Sequence, residues 1–264
     1  MTDGDPSDTS TSDPSTGATG ATDPNGPRRA GDAVGPAAAP AAVDGPEAAP
    51  GRRGERRLIP SLTILVLIAL PFTLPTSQQY APWILVIGGV PLLVAVLIAD
   101  PGRIDRRGRV LRVLSRSIIV LLACSAAFAT VRLIVELLEG APQLQTAAQL
   151  LRAGFVVWID VNLTFALLYW ELDGGGAATR LLAPHPYPDL AFPQHMAPEL
   201  APPGWMPTFL DYLYLGLTNA LAFSPTDVMP LRHWAKLTMA LQSLLSVAIL
   251  SLVIANAVNV IGSG

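Results

Sequence analysis

The sequence predicts an all-α integral membrane protein with about six transmembrane helices behind a disordered N-terminal tail. Three observations carry this. The 264 residues are 51% hydrophobic and only 14% charged, with a mean hydropathy of +0.44, whereas soluble domains carry about 25% charged residues. Several apolar runs approach the roughly 20 residues that cross about 30 Å of hydrocarbon. Arginines cluster beside those runs, as they do on the cytoplasmic side of a membrane.

Residues 1–57 are Ser, Thr, Asp, Pro, Gly and Ala with almost no large apolar side chains. Such a composition buries too little surface to offset the entropy of ordering. A cleaved signal would place its apolar region at the extreme N-terminus. Here the first apolar run follows Arg52, Arg53, Arg56 and Arg57, which are expected to hold the N-terminus in the cytoplasm. Nearly half of the acid lies in this tail, so the formal net charge of −3 hides the basic character of the membrane-flanking segments. Sixteen arginines to a single lysine, Lys236, with abundant Ala, Gly and Pro, indicate a GC-rich bacterial genome, and the expected location of the spans is the bacterial plasma (inner) membrane.

Residues 58–172 read as a four-helix transmembrane region. The runs Leu58 to Leu74 and Pro82 to Ala99, separated by PTSQQYA, form a hairpin. The loop that follows carries Arg103, Arg106, Arg107, Arg109 and Arg112, which agrees with an N-inside start. The third span, Val110 to Leu138, is long enough to tilt or to enter the interface. Arg132 and Glu136 share a face of it at i, i+4 and form a candidate structural pair, or else line a polar passage. The fourth span, Ala148 to Leu172, places Asp160 near its midpoint with Asn162 two residues on. A carboxylate at that depth requires a partner, a proton or water, so Asp160 is either a polar contact between helices or a site of ion or proton movement. Tyr169 and Trp170 fit an aromatic belt, Glu171 and Asp173 the interface, and Gly174 to Gly176 a helix stop.

Residues 173–205 form a proline-rich loop whose prolines exclude a continuous helix and which is expected to lie along the membrane surface. His185 and His195 within it lack the register and acidic neighbours of a metal motif. Cys124 is the single cysteine, so no intrachain disulfide or cysteine metal cluster can form; it reads as a small buried hydrophobe.

Residues 206–264 form a C-terminal helix pair joined by SPTDVMPLRH. The first member, Met206 to Phe223, carries Asp211, Thr218 and Asn219 and is barely long enough to cross or to re-enter. The second, Trp234 to Ile261, is amply long. Ser243 with Ser246, and Asn256 with Asn259, share faces at i, i+3 that suit close packing against other helices. A complete span satisfies its own backbone whereas a lone re-entrant helix does not, so six spans with both termini cytoplasmic are expected.

The turn resembles the pore module of potassium channels. Asp227, Val228, Met229 and Pro230 match its Asp-x-x-Pro element, and Tyr212, Tyr214 and Thr218 resemble a pore helix. In that alignment Ala222, Phe223, Ser224, Pro225 and Thr226 stand where such channels have Thr-Val-Gly-Tyr-Gly. With both glycines absent and Pro225 fixing φ, carbonyls cannot line up on potassium as such a filter requires. The resemblance therefore implies an oligomeric permeation path without potassium selectivity. The alternative for the same residues is a capped helix start, with Ser224 or Thr226 as cap and a proline in the first turn. The chain as a whole, with WELDGGG and TNALAFSPTDVMP, is similar to an uncharacterised family of bacterial multi-pass membrane proteins.

Asp160, Asn162, Asn219 and Asp227 are thus the candidate polar membrane residues. Three readings follow: an oligomeric, channel-like permeation protein; a small proton- or cation-coupled transporter using Asp160; or a membrane scaffold or partner subunit. The expected partners are the lipid bilayer, a second copy of the chain and a small ion or solute. No basic face for nucleic acid is visible, no cofactor motif is present, and without Gly-x-Ser-x-Gly, His-Glu-x-x-His or a phosphate loop an enzyme is not expected.

Overall fold

The computed structural model describes residues 54–74, 82–100, 102, 104, 108–139, 146–183, 187–221 and 227–262. The expected disordered tail up to residue 53, the PTSQQYA turn, Arg103, Arg106, Arg107, His185 and residues 222–226 lie outside the described residues.

Among the described residues eight α-helices occur in chain order: α1 Leu58–Ala69, α2 Pro82–Ala99, α3 Arg109–Leu138, α4 Ala147–Leu172, α5 Ala177–Leu182, α6 Pro193–Met196, α7 Phe209–Leu221 and α8 His233–Gly262. Helix α1 tolerates Pro60 in its first turn, where no intrahelical N–H is needed, and gives way at Pro71 to a 3-10 turn spanning Leu70–Thr73. Helix α4 starts on a reciprocal cap that the sequence reading did not identify. The Gln149 N–H donates to Thr146 Oγ1 and the Thr146 N–H to Gln149 Oε1, both at 3.2 Å. It stops where Gly174, Gly175 and Gly176 take φ of 56°, 79° and 100°, a run of positive φ that only glycine adopts without strain.

Among the described residues four helices are long and apolar enough to cross a membrane: α2, α3, the one beginning at Ala147, and α8. In α4 72% of the most apolar stretch is buried, against 22% to 33% in the other three. Helix α4 is therefore the hub, and α2, α3 and α8 turn apolar surface outward, including Ile87, Ile98, Val120, Leu237 and Leu244. Outward apolar surface on this scale belongs in lipid.

Ion pairs and hydrogen bonds define two ends of the bundle. At the first, Arg57 before α1 meets Asp100 after α2 at 2.7 Å, and Arg116 in the second turn of α3 faces Glu171 near the end of α4 at 3.8 Å. At the second, Arg152 near the start of α4 donates to the Thr73 carbonyl at 2.7 Å, so α1 with its 3-10 turn runs from one end toward the other.

Helices α7 and α8 both begin at the first end. The Phe209 N–H donates to Glu55 at 2.6 Å and Tyr212 Oη to Asp173 at 2.5 Å. Just before α8, β2 (Met229–Pro230) pairs antiparallel with β1 (Leu190–Ala191), and Arg232 meets Asp189 at 3.0 Å. Asn219, near the end of α7, then reaches Met239 and Gln242 in the second and third turns of α8. The two helices thus run parallel. At 13 residues α7 is about 20 Å long, short of the roughly 30 Å of hydrocarbon.

The six full spans expected are not confirmed: among the described residues four helices are long and apolar enough to cross a membrane, and α7, at 13 residues, is not one of them. Ser224 and Thr226, the expected caps of a helix start at SPTDVMP, lie outside the described residues, and α8 begins at His233. Within the proline-rich loop the surface-lying irregular chain is replaced in part by α5, α6 and the β1–β2 pair. These tie the loop to the first end.

Candidate functional site

Residues two apart on a helix point about 200° away from each other, and α4 uses this to send Asp160 and Asn162 to different neighbours. Asp160 is buried and lines a cavity between the 3-10 turn after α1, α3 and α4 with Arg132, Glu136 and Ser125 among its walls. Arg132 and Glu136, one turn apart on α3, are therefore brought together with Asp160. Among the described residues Asp160 itself has no hydrogen-bond or ion-pair partner. The cavity volume is about 40 Å³, room for water or a small cation and far below the roughly 300 Å³ that a small-molecule ligand needs. An acid with no protein partner, at mid-helix depth and beside a water-sized space, can exchange a proton or hold a small cation.

On the opposite face, Asn162 enters an amide network centred on Gln242, which is fully buried. Gln242 Nε2 donates to Asn162 Oδ1 at 3.0 Å and to the Gly216 carbonyl at 2.8 Å. Its Oε1 accepts from Tyr169 Oη at 2.7 Å and from Asn219 Nδ2 at 2.8 Å. Asn162 Nδ2 donates to the Trp158 carbonyl at 2.7 Å, and Ser243 Oγ lies 3.1 Å from the Asn219 carbonyl. The amide of Gln242 uses both donors and both lone pairs of its oxygen. This set joins α4, α7 and α8 and uses the full hydrogen-bonding capacity of the Gln242 amide, which makes it a lock between helices.

The first end carries a second polar cluster. Asp173 accepts from Tyr212 and, at 3.2 Å, from the Leu190 N–H. Arg180 donates to the carbonyls of Trp170 and Asp173 and lies 4.9 Å over the Tyr212 ring. Glu55 accepts from Trp170 Nε1 at 3.0 Å as well as from Phe209, and burial pushes its carboxyl above the ordinary value. Tyr169 and Trp170 are thus not an aromatic belt: both are buried and hydrogen-bonded inside the bundle. Asp173 and Glu171 are likewise buried at the bundle's end.

Of the four candidate polar residues, the structure joins Asn162 with Asn219 through Gln242, sets Asp160 apart with Arg132 and Glu136, and places Asp227 exposed at the first end. Cys124 is exposed on α3 where a buried hydrophobe was expected. His195 accepts from the Phe192 N–H at 3.2 Å and packs at 5.3 Å against Trp205, a corner-forming role. Gln242, Tyr169 and Tyr212 carried a signal only as polar atoms in apolar runs. The chain matches no family model, no curated protein and no solved structure.

Proposed function

We propose that the protein is a small proton- or cation-coupled permeation protein of a bacterial inner membrane, with Asp160 as its ion-accepting group. The observation that carries this is a buried carboxylate without a protein partner on a cavity of about 40 Å³ that also contains Arg132 and Glu136. A charge at that depth is costly and marks an ion or proton path by default. In this reading α1 with its 3-10 turn, α2, α3, α4 and α8 cross the bilayer and α7 re-enters. The basic segments at the first end put that end in the cytoplasm, so the end of α8 lies on the far side. The test is full-length protein in liposomes under a proton, sodium or potassium gradient. Flux that Asp160→Asn abolishes supports the proposal; equal flux in wild type and variant defeats it.

The parallel course of α7 and α8 favours a second reading, the channel-like module that the Asp227–Pro230 turn resembles, assembled as an oligomer around a shared path. The absence of both filter glycines predicts no preference for potassium. Reversal potentials in mixed potassium and sodium decide this, and a strong potassium preference defeats it. A protein without flux under any of these gradients is a scaffold.

A further inference from the structure

The three residues before α1 are fastened to the loop after α2. The Arg57 N–H donates to the Gly102 carbonyl and the Ile104 N–H to the Glu55 carbonyl, both at 3.1 Å. This two-bond bridge joins two arginine-rich segments that lie far apart in sequence, residues 52–57 and 103–112. Among the described residues this sets Arg56 and Arg57 at the first end, beside the start of α1.

Directly beneath it, a groove of about 610 Å³ opens on the outer surface of the bundle. Leu58, Leu62 and Leu65 of α1 and Leu97 of α2 line it, with Arg56 and Arg57 at its head. The three α1 leucines are spaced i, i+4, i+7 and so form one stripe, and they are 71%, 56% and 46% exposed. The volume is within the range of about 300–1,000 Å³ typical of ligand sites, unlike the water-sized space at Asp160. Arg56 is exposed. Arg57, held by Asp100 through Nη2, keeps a buried Nε that has no acceptor among the described residues.

An apolar trough at membrane depth capped by a guanidinium matches one chemical class, an amphiphile with an acyl chain and an anionic head. We propose that this groove binds one anionic phospholipid, its acyl chain along Leu58, Leu62 and Leu65 and its phosphate on Arg56. Guanidinium pairs bidentately with phosphate, and a basic residue at a membrane surface favours anionic lipid by about five-fold. A zwitterionic lipid presents its own cation to the same arginine-rich end and gains less.

The test is native mass spectrometry of the full-length protein, delipidated in detergent and then given equimolar phosphatidylglycerol and phosphatidylcholine. One phosphatidylglycerol retained per chain is expected, and Arg56→Gln lowers its retention about five-fold. Lys236→Gln, an exposed cation near the start of α8, leaves it unchanged. A second variant, Leu62→Trp, fills the trough and lowers retention with Arg56 in place. Excess inorganic phosphate does not displace the lipid. Equal retention of the two lipids, equal loss in Arg56→Gln and Lys236→Gln, or displacement by inorganic phosphate each overturns the proposal.

Discussion

Gln242 and Asn162 meet across 3.0 Å at the point where α8 crosses the hub helix, with the amide of one donating to the carbonyl of the other. Hydrogen bonds between membrane helices average about 0.6 kcal/mol, so Gln242→Leu, which removes four of them, is expected to cost about 2–3 kcal/mol. It also strands Asn162 Oδ1 and Tyr169 Oη. A fall in the unfolding midpoint of the purified protein measures this, and an unchanged midpoint means the network contributes nothing to stability.

Asp160→Asn is expected to fold as wild type, because the amide fits the same space and carries no charge to desolvate. Asp160→Leu is expected to disturb the cavity shared with Arg132 and Glu136 and to lower expression or flux. If Leu changes neither stability nor flux, the cavity is not a working site.

Gly154 allows α4 and α8 to touch. A Cβ there would sit 2.4 Å from Val253 Cγ2 and 2.7 Å from Cγ1, and a β-branched side chain has little freedom to turn away. Gly154→Ala is expected to destabilise by about 1–3 kcal/mol. Adding Val253→Ala should recover most of it, and a double-mutant cycle on unfolding midpoints reads the coupling.

Burial lowers the His195 imidazole below its ordinary 6.5, and only the neutral ring can accept from Phe192. A depressed value means that the folded state binds the proton less well than the unfolded. The stability His195 contributes is therefore present above about 6.5 and is lost as pH falls through the lowered folded value. Glu55, raised by burial, has the opposite slope: its contribution is present below the ordinary carboxylate value and is lost as pH rises through the raised one. Thermal midpoints measured from pH 7.5 down to 5 should fall less in His195→Gln than in wild type, and fall more in Glu55→Gln. Identical slopes in all three proteins would exclude both assignments.

The side on which the chain ends follows from α7. In the proposed arrangement of five crossing segments with one re-entrant helix, the end of α8 lies opposite the N-terminus, so a C-terminal fusion is expected to activate an exported reporter and not a cytoplasmic one. Activity of the cytoplasmic reporter alone restores the six-span arrangement.

Helix positions were legible from hydropathy almost to the residue, because a run that must meet lipid on one side and protein on the other is apolar throughout. α2 was read as Pro82 to Ala99, as found. Direction was not legible. Met206 to Phe223 has the length of a marginal span, yet its first three residues precede α7, and only contacts distant in sequence, Phe209 with Glu55 and Asn219 with Met239, reveal that it runs parallel to α8. Asp160 was recognisable from depth alone, and the 200° between it and Asn162 already separates them. The partner of Asn162 was not recognisable, since nothing in a one-dimensional pattern says that Gln242, and not Asn256 or Ser246, faces it. Tyr169 was misread because an aromatic near a helix end has the same signature whether it meets headgroups or a buried amide.

The distance along the chain from Asn162 to Gln242 is 80 residues, and this has a meaning during synthesis. At about 5–20 residues per second, roughly 4 to 16 seconds separate the manufacture of the two. Through that interval the hub helix exists with its amide, its tyrosine and the surface of Gly154 unclaimed. The young four-helix unit thus has an open polar seam turned toward lipid or toward whatever escorts it. A chain cut short before α8 would keep that seam permanently, which makes the thirty residues of α8 the step that closes it.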